Sequence, residues 1–159
     1  TALKSPEKPL QLLLIHPGDY MTSYSVMAVK KDGTIYTPAQ GLMGKNLLVA
    51  GVKDTYNFGP VLIKDGEAQL PWAETEKYYP RTAVGMVKPN DYVLLVTDTG
   101  SYNGLNHWDM VNIFKSYGCT YAYNLDGGGS ATLYFNGKVM NKLIGNTQRP
   151  CADFLYFTR

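Results

Sequence analysis

The groups in this sequence that could act on a charged substrate are two arginines, Arg81 and Arg149, two strand-ending aspartates, Asp98 and Asp126, and the run Gly127, Gly128, Gly129. The run lies in "YNLDGGGSATLYF", between an apolar stretch and an aromatic one. Consecutive glycines let backbone N–H groups converge on an anion. A nucleotide P-loop would continue into Lys, Ser or Thr and a helix. Here Ser130, Ala131 and Thr132 lead into a strand pattern, which excludes that reading. The alternative is a crowded bend where two strands pass closely. In the functional reading, backbone comes close to a ligand and Asp126 stands at the lip of the concavity.

Arg81 opens the apolar stretch "RTAVGMV" after Pro80. Its guanidinium is either solvated or ion-paired, or a fork that grips phosphate or carboxylate through two N–H groups. Arg149 in "NTQRPC" is a second candidate fork. Asp98 closes "YVLLVTD", as a turn-former or as a second site carboxylate. Asp98-Thr99-Gly100 matches the Asp-Thr-Gly triplet of aspartic proteases, but the rest of that pattern is absent and one lobe of this size would have to dimerise. His16 and His107 have no second His or Cys at ligand spacing, so neither points to zinc. His107 falls in the first turn of a helix, where exposure is expected. Thr1 could be an N-terminal nucleophile, but nothing supports that, and it reads as a mark of trimming. No G-x-S-x-G occurs.

Hairpins must position these groups. Asp32-Gly33, Asp65-Gly66 and Asn136-Gly137 each separate extended runs, and a further strand pair turns near Pro89-Asn90. "LQLLLIH" reads as a buried strand and "ADFLYF" as a closing one. The clearest helix is about 106–117: Asn106 caps it, Asp109 completes a capping box, and Met110, Ile113, Phe114 and Tyr117 recur at helical spacing before Gly118. A weaker helix is expected at about 39–50, interrupted by Gly41 and Gly44. Strands outnumber helices and are joined by hairpins, which predicts an α+β fold with mixed, mainly antiparallel sheets. Residues 1–9 read as a lead-in and 10–159 as a single domain.

Composition bounds the rest. The 159 residues carry a net charge of +2, with 45% hydrophobic and 18% charged residues, and no basic cluster exceeds Lys30-Lys31, which argues against nucleic acid. The most apolar run, residues 10–15, is too short to span a membrane. Cys119 and Cys151 fit no metal or redox motif and are either one disulfide or two free thiols. Thirteen tyrosines suit either strand packing or a wet, sugar-facing cleft.

The chain resembles the phosphodiester glycosidase family. The resemblance rests on "FGPVLIKDG", "PRTAVG", "NGLNHWDMVNIFKSYGC", "AYNLDGGGSATLYFNGKVMNK" and "RPCADFLYF", in that order, over about residues 24–158. It implies hydrolysis of a glycosyl-1-phosphate diester at the anomeric carbon, N-acetylglucosamine being one such sugar, and an extracellular or cell-surface protein. In bacteria it implies envelope or exopolysaccharide glycophosphates as targets. It implies Asp126, Arg81 and Asp98 as the catalytic set. Asn124, Gly127, Gly128, Gly129, Ser130, Thr132, Thr82 and Arg149 would contact sugar or phosphate. No metal or cofactor is called for. The family's earlier segment, with Asn-Gly and aromatics, is missing or reduced to "HPGDYM", where Gly18, Asp19 and Tyr20 are its remnant. Asp109 stands where the family more often has Glu. These departures leave two alternatives: a non-catalytic carbohydrate- or glycophosphate-binding domain, or one half of an enzyme completed by a companion N-terminal fragment.

Overall fold

The structure is a computed structural model and describes residues 25–39, 44–70, 77–98, 103–151 and 154–157. The strand expected at "LQLLLIH", His16, the 18–20 remnant, Thr99-Gly100 and the first part of the weaker helix lie outside these residues.

Strands β1 (Val26–Lys30), β2 (Ile35–Tyr36) and β3 (Val52–Asn57) form one sheet, ordered β2-β1-β3. Strands β4 (Val61–Lys64), β5 (Glu67–Ala68), β6 (Thr82–Lys88), β7 (Asp91–Val96) and β8 (Tyr121–Leu125) form a second, ordered β5-β4-β8-β6-β7. A small hairpin, β9 (Tyr134–Phe135) with β10 (Lys138–Val139), stands apart. Every pairing among the described residues is antiparallel, so the fold is α+β. The turn residues act as their types dictate. Asp65 and Gly66 have φ of 52° and 81°, and Asn136 and Gly137 47° and 83°, the left-handed pairs that let a two-residue turn follow the strand twist. Strand β3 is not evident in the sequence, because "VKDTYN" lacks clean alternation.

Helix α1 (Gly44–Val49) covers the outer face of the smaller sheet, with Leu47 packed on Ala28 and Val52. Helix α2 (His107–Ser116) covers the outer face of the larger one. Its capping box is formed: the Asp109 N–H donates to Asn106 Oδ1 at 2.8 Å and the Asn106 N–H to Asp109 Oδ2 at 3.4 Å. The buried stripe is His107, Met110, Val111 and Phe114, one register away from the expected Met110, Ile113, Phe114 and Tyr117. His107 is thus buried rather than exposed, being the first member of an i, i+3, i+4, i+7 series. Gly85 of β6 lets α2 approach, since a Cβ there would lie 2.5 Å from the Phe114 ring and 2.7 Å from Cys119 Sγ. Both cysteines are free thiols, Cys119 buried and Cys151 exposed. The described part of the expected closing strand, 154–157, is not a strand. Leu155 packs on the core and the Phe157 ring lies 5.2 Å from that of Tyr92.

Between the sheets lie Met27, Val29 and Ile35 from one side and Val61, Val84, Met86, Tyr121 and Tyr123 from the other. Tyrosine hydroxyls stitch this interface. Tyr123 accepts from the Phe58 N–H at 2.8 Å and donates to the Ser25 carbonyl. The Tyr121 and Thr37 hydroxyls bond at 2.6 Å, and Tyr92 donates to the Gly33 carbonyl at 2.5 Å. Burial raises the Tyr121 and Tyr123 hydroxyls, Tyr123 from 10.0 to about 12. Below pH 10 both folded and unfolded chains keep the Tyr123 proton. Above it the unfolded chain ionises first, so stability falls as pH rises from 10 to 12. The urea midpoint is expected to decline across that window, and Tyr123→Phe to lower the midpoint at neutral pH but flatten the alkaline decline. An equally steep decline in the variant would show that Tyr123 does not govern it.

Candidate active site

The central strand β8 ends at Leu125, and its pairing with β6 matches Thr82 with Leu125. Carrying that register outward sets Arg81 opposite Asp126 and Pro80 opposite Gly127. The bond from the Gly128 N–H to the Pro80 carbonyl, 2.8 Å, holds the ends together. On the other side, the Arg81 N–H donates to Thr97 Oγ1 and the Thr97 N–H to the Arg81 carbonyl, each at 2.9 Å. Arg81 is therefore flanked by Thr97 and Asp126 at the ends of three adjacent strands. Alternation puts Arg81 on the α2 face with Ala83 and Gly85, and Asp126 there with Ala122.

The guanidinium is fixed by backbone. Arg81 Nε donates to the Leu105 carbonyl at 3.1 Å and Nη2 to the Lys77 carbonyl at 3.0 Å. Its Cζ lies 5.3 Å from the centre of the Tyr79 ring. Tyr79 forms an antiparallel bridge with Leu105 just before α2, and Gly104 has no room for a Cβ, which would fall 1.8 Å from the Tyr79 carbonyl oxygen. Burial lowers the Arg81 pKa, yet a guanidinium keeps its charge at any working pH. Nη1 and the second N–H of Nη2 have no bonding partner among the described residues, and no carboxylate there neutralises the group.

Each glycine of the run has its own reason. A Cβ on Gly127 would lie 2.5 Å from the Pro80 carbonyl oxygen, so only glycine fits there. Gly128 has φ of +56° and begins the 3-10 turn Gly128–Ser130. Gly129 has room for a Cβ, 3.6 Å from Arg149 Cδ. The run is less of an anion nest than its composition implies. The Gly127 N–H donates to Asp126 Oδ1 at 2.8 Å, that of Gly128 to Pro80, that of Ser130 to Gly127 and that of Ala131 to Gly128. The Gly129 N–H has no acceptor among the described residues. Arg149 lies over this glycine and its Nη1 donates to Ser130 Oγ at 3.4 Å. Asp126 is exposed, and among the described residues its carboxylate accepts only the Gly127 N–H.

Arg81, Asp126, Gly127, Gly128, Gly129, Ser130 and Arg149 thus gather at one sheet end. The other expected members make different contacts. Asn124 is 1% exposed, its Nδ2 donating to the Gly59 carbonyl at 2.7 Å. It braces the Phe58-Gly59-Pro60 turn rather than meeting solvent, and its Oδ1 is buried without a partner. Thr82, one residue from Arg81, projects to the opposite face of the sheet, and its Oγ1 is buried and unpartnered. Asp98 Oδ2 accepts from the Lys142 N–H at 2.9 Å, tethering the loop after β10. Thr132 is half-buried in the stretch 131–133, which Asn141 holds through the Leu133 N–H at 2.7 Å and the Ala131 carbonyl at 2.9 Å. Tyr79, Leu105 and Asn141 are site-building residues that sequence reading passed over. Leu105 acts through its backbone, which leaves no side-chain signal. Among the described residues no group of three or more His, Cys, Asp or Glu gathers to hold a metal, and no helix is long and apolar enough to cross a membrane.

The chain is similar to several known proteins. Residues 10–158 match the family described as phosphodiester glycosidase. An uncharacterized SPbeta prophage-derived protein of Bacillus subtilis is 31% identical over 131 residues, covering 78% of this chain and 20% of its own length. The N-acetylglucosamine-1-phosphodiester alpha-N-acetylglucosaminidase of Mus musculus is 41% identical over 130 residues, covering 69% of this chain and 24% of its own. The chain therefore spans a quarter or less of these relatives. Among solved structures, the zebrafish enzyme of that name, its catalytic domain auto-inhibited by a pro-peptide, aligns with TM-score 0.57 and 23% identity over 75% of this chain and 44% of that one. A hypothetical protein from Synechocystis aligns with TM-score 0.50 and 16% identity over 75% of this chain and 31% of that one. At these identities the structural likeness concerns the fold.

The glycines can be told apart by substitution. Gly127→Ala must push the Pro80 carbonyl away and is expected to lower unfolding stability by about 1–3 kcal/mol. Gly129→Ala has ordinary contact distances and is expected to change it by less than about 0.5 kcal/mol. Equal losses in urea unfolding would refute the distinct roles assigned to them.

Proposed function

The chain belongs to the phosphodiester glycosidase family, and we propose that it hydrolyses a glycosyl-1-phosphate diester between the anomeric carbon and the phosphate oxygen. The observation that carries this reading is that a side chain with a backbone-fixed guanidinium, Arg81, and one with an exposed carboxylate, Asp126, start from the ends of adjacent strands. Substrate identity is part of the proposal. The mouse relative's name specifies N-acetylglucosamine-1-phosphodiester, which makes that the first compound to test. Glycophosphates of bacterial envelope or exopolysaccharide, met outside the cell, are the finer reading.

The chemistry suits these residues. A phosphomonoester leaves well once its charge is held, so the site needs anion donors more than a general acid. Arg81 Nη1 and Nη2, the Gly129 N–H and Arg149 supply donors on one side. Asp126 acts at the anomeric carbon, by taking a proton from the attacking water or by attacking directly. The carbon–oxygen bond breaks, its electron pair passes to the phosphate oxygen, and the sugar gains the hydroxyl of water. Asp98, tied to Lys142, shapes the rim of the site by holding the neighbouring loop.

Release of N-acetylglucosamine from its 1-phosphodiester is expected, with Asp126→Asn reducing kcat by roughly 100-fold or more at unchanged circular dichroism. The Asn side chain keeps the acceptor for the Gly127 N–H, so the turn survives. Substrate binding without turnover, in wild type and variant alike, would leave a glycophosphate-binding domain instead. Arg81→Lys is expected to lower kcat/KM roughly tenfold or more, because an ammonium cannot hold the Leu105 and Lys77 carbonyls and a phosphate together. An unchanged kcat/KM would remove Arg81 from the site.

A further inference from the structure

The tyrosines serve different ends. Tyr121 and Tyr123 are spent between the sheets, and Tyr92 bonds across to the first hairpin. Tyr79 is different: it is 49% exposed, beside the guanidinium of the proposed site. One side of its ring faces Arg81 Cζ at 5.3 Å, and about half of the residue is open to solvent. Its hydroxyl bonds to no described residue. Its backbone is pinned by bonds to Leu105, 3.3 Å from its N–H and 3.0 Å to its carbonyl, and by the close approach of Gly104. The ring therefore rises from a fixed stem, and ordering it on binding costs little entropy.

We propose that the side of the Tyr79 ring away from Arg81 is a stacking platform for the sugar ring of the ligand whose phosphate Arg81 holds. A pyranose presents a face of C–H groups, an apolar patch that an aromatic face removes from water. In a glycosyl phosphate that ring is joined to phosphorus through one oxygen. A phosphate on the outer N–H groups of Arg81 thus brings the sugar alongside the neighbouring ring. The phenol hydroxyl, unbonded among the described residues, is left to meet a sugar hydroxyl at the edge. Tyr79 then makes the site prefer a glycosyl phosphate over phosphate itself, a selectivity that Arg81 alone does not give. The inference rests on the glycosidase reading and names the part of that site that recognises the sugar.

The test is calorimetric titration of the whole chain with N-acetylglucosamine-1-phosphate and, separately, with inorganic phosphate. Tyr79→Ala is expected to weaken binding of the sugar phosphate about tenfold while leaving that of inorganic phosphate within about twofold, and Tyr79→Phe to keep both within about threefold. Equal weakening of both ligands in Tyr79→Ala would make Tyr79 only a prop for Arg81 and overturn the platform. Unchanged binding of both would remove Tyr79 from the site, with the glycosidase reading intact. Failure of folded wild type to bind either ligand would overturn that reading and the platform with it.

Discussion

Strand β8 is enclosed on every side, and the rest of the molecule follows from that. Both its edges are hydrogen-bonded, to β4 and β6, and both its faces are buried, one by α2 and one by the smaller sheet. A five-residue strand in this position has no solvent to satisfy its backbone, so every flanking element must be present at once. Tyr121, Tyr123 and Asn124 show how tightly this is enforced. Each is a polar side chain kept in the interior by a bond to a distant segment. The consequence at the strand end is that Asp126 emerges from the most constrained part of the fold into solvent.

The same constraint explains why the glycines follow Asp126. A chain leaving a central strand must pass the end of its neighbour before it can turn. Gly127 passes Pro80 at a distance no side chain allows, and Gly128 then turns with a positive φ. The run is thus first a solution to crowding, and the bend that the sequence admits as an alternative is present. The functional reading survives in a narrower form. Most N–H groups of the run are consumed in making the bend, and Gly129 keeps its own beneath Arg149. Crowding and ligand approach are compatible, because a backbone that comes close to a neighbouring strand also keeps side chains out of the space beside it.

What was legible in the sequence was local. Asp65-Gly66 and Asn136-Gly137 specify their turns, and Asn106 with Asp109 specifies the start of α2, because the relevant bonds span only a few residues. Arg81 and Asp126 were legible as chemistry, though not as neighbours, since adjacency depends on a β6–β8 register spanning about forty residues. The facing of Thr82 follows from alternation alone: a residue next to Arg81 on a strand faces the other way. Asn124 shares the parity of Asp126, so alternation could not reveal that the Gly59 carbonyl captures it. The bond that Asp98 accepts from the Lys142 backbone was equally hidden, because the two lie 44 residues apart. The His107 stripe has helical spacing in the sequence too, but Ile113 and Tyr117 offer a more apolar series there.

The fixing of Arg81 has a chemical consequence. A guanidinium free in solution presents all its donors to water and must shed that water before gripping an anion. Here the Leu105 and Lys77 carbonyls and the Tyr79 ring take the place of part of that shell. Carbonyl dipoles also help the fold tolerate a half-buried cation with no carboxylate beside it among the described residues. A paired carboxylate would neutralise the charge and spend the outer donors. Neutral acceptors orient the plane and leave the charge for an incoming phosphate, so the group is preorganised without being satisfied. The strand-end position of Arg81 and the bridge between Tyr79 and Leu105 belong together for this reason: one sets where the side chain starts, the other where its head is held.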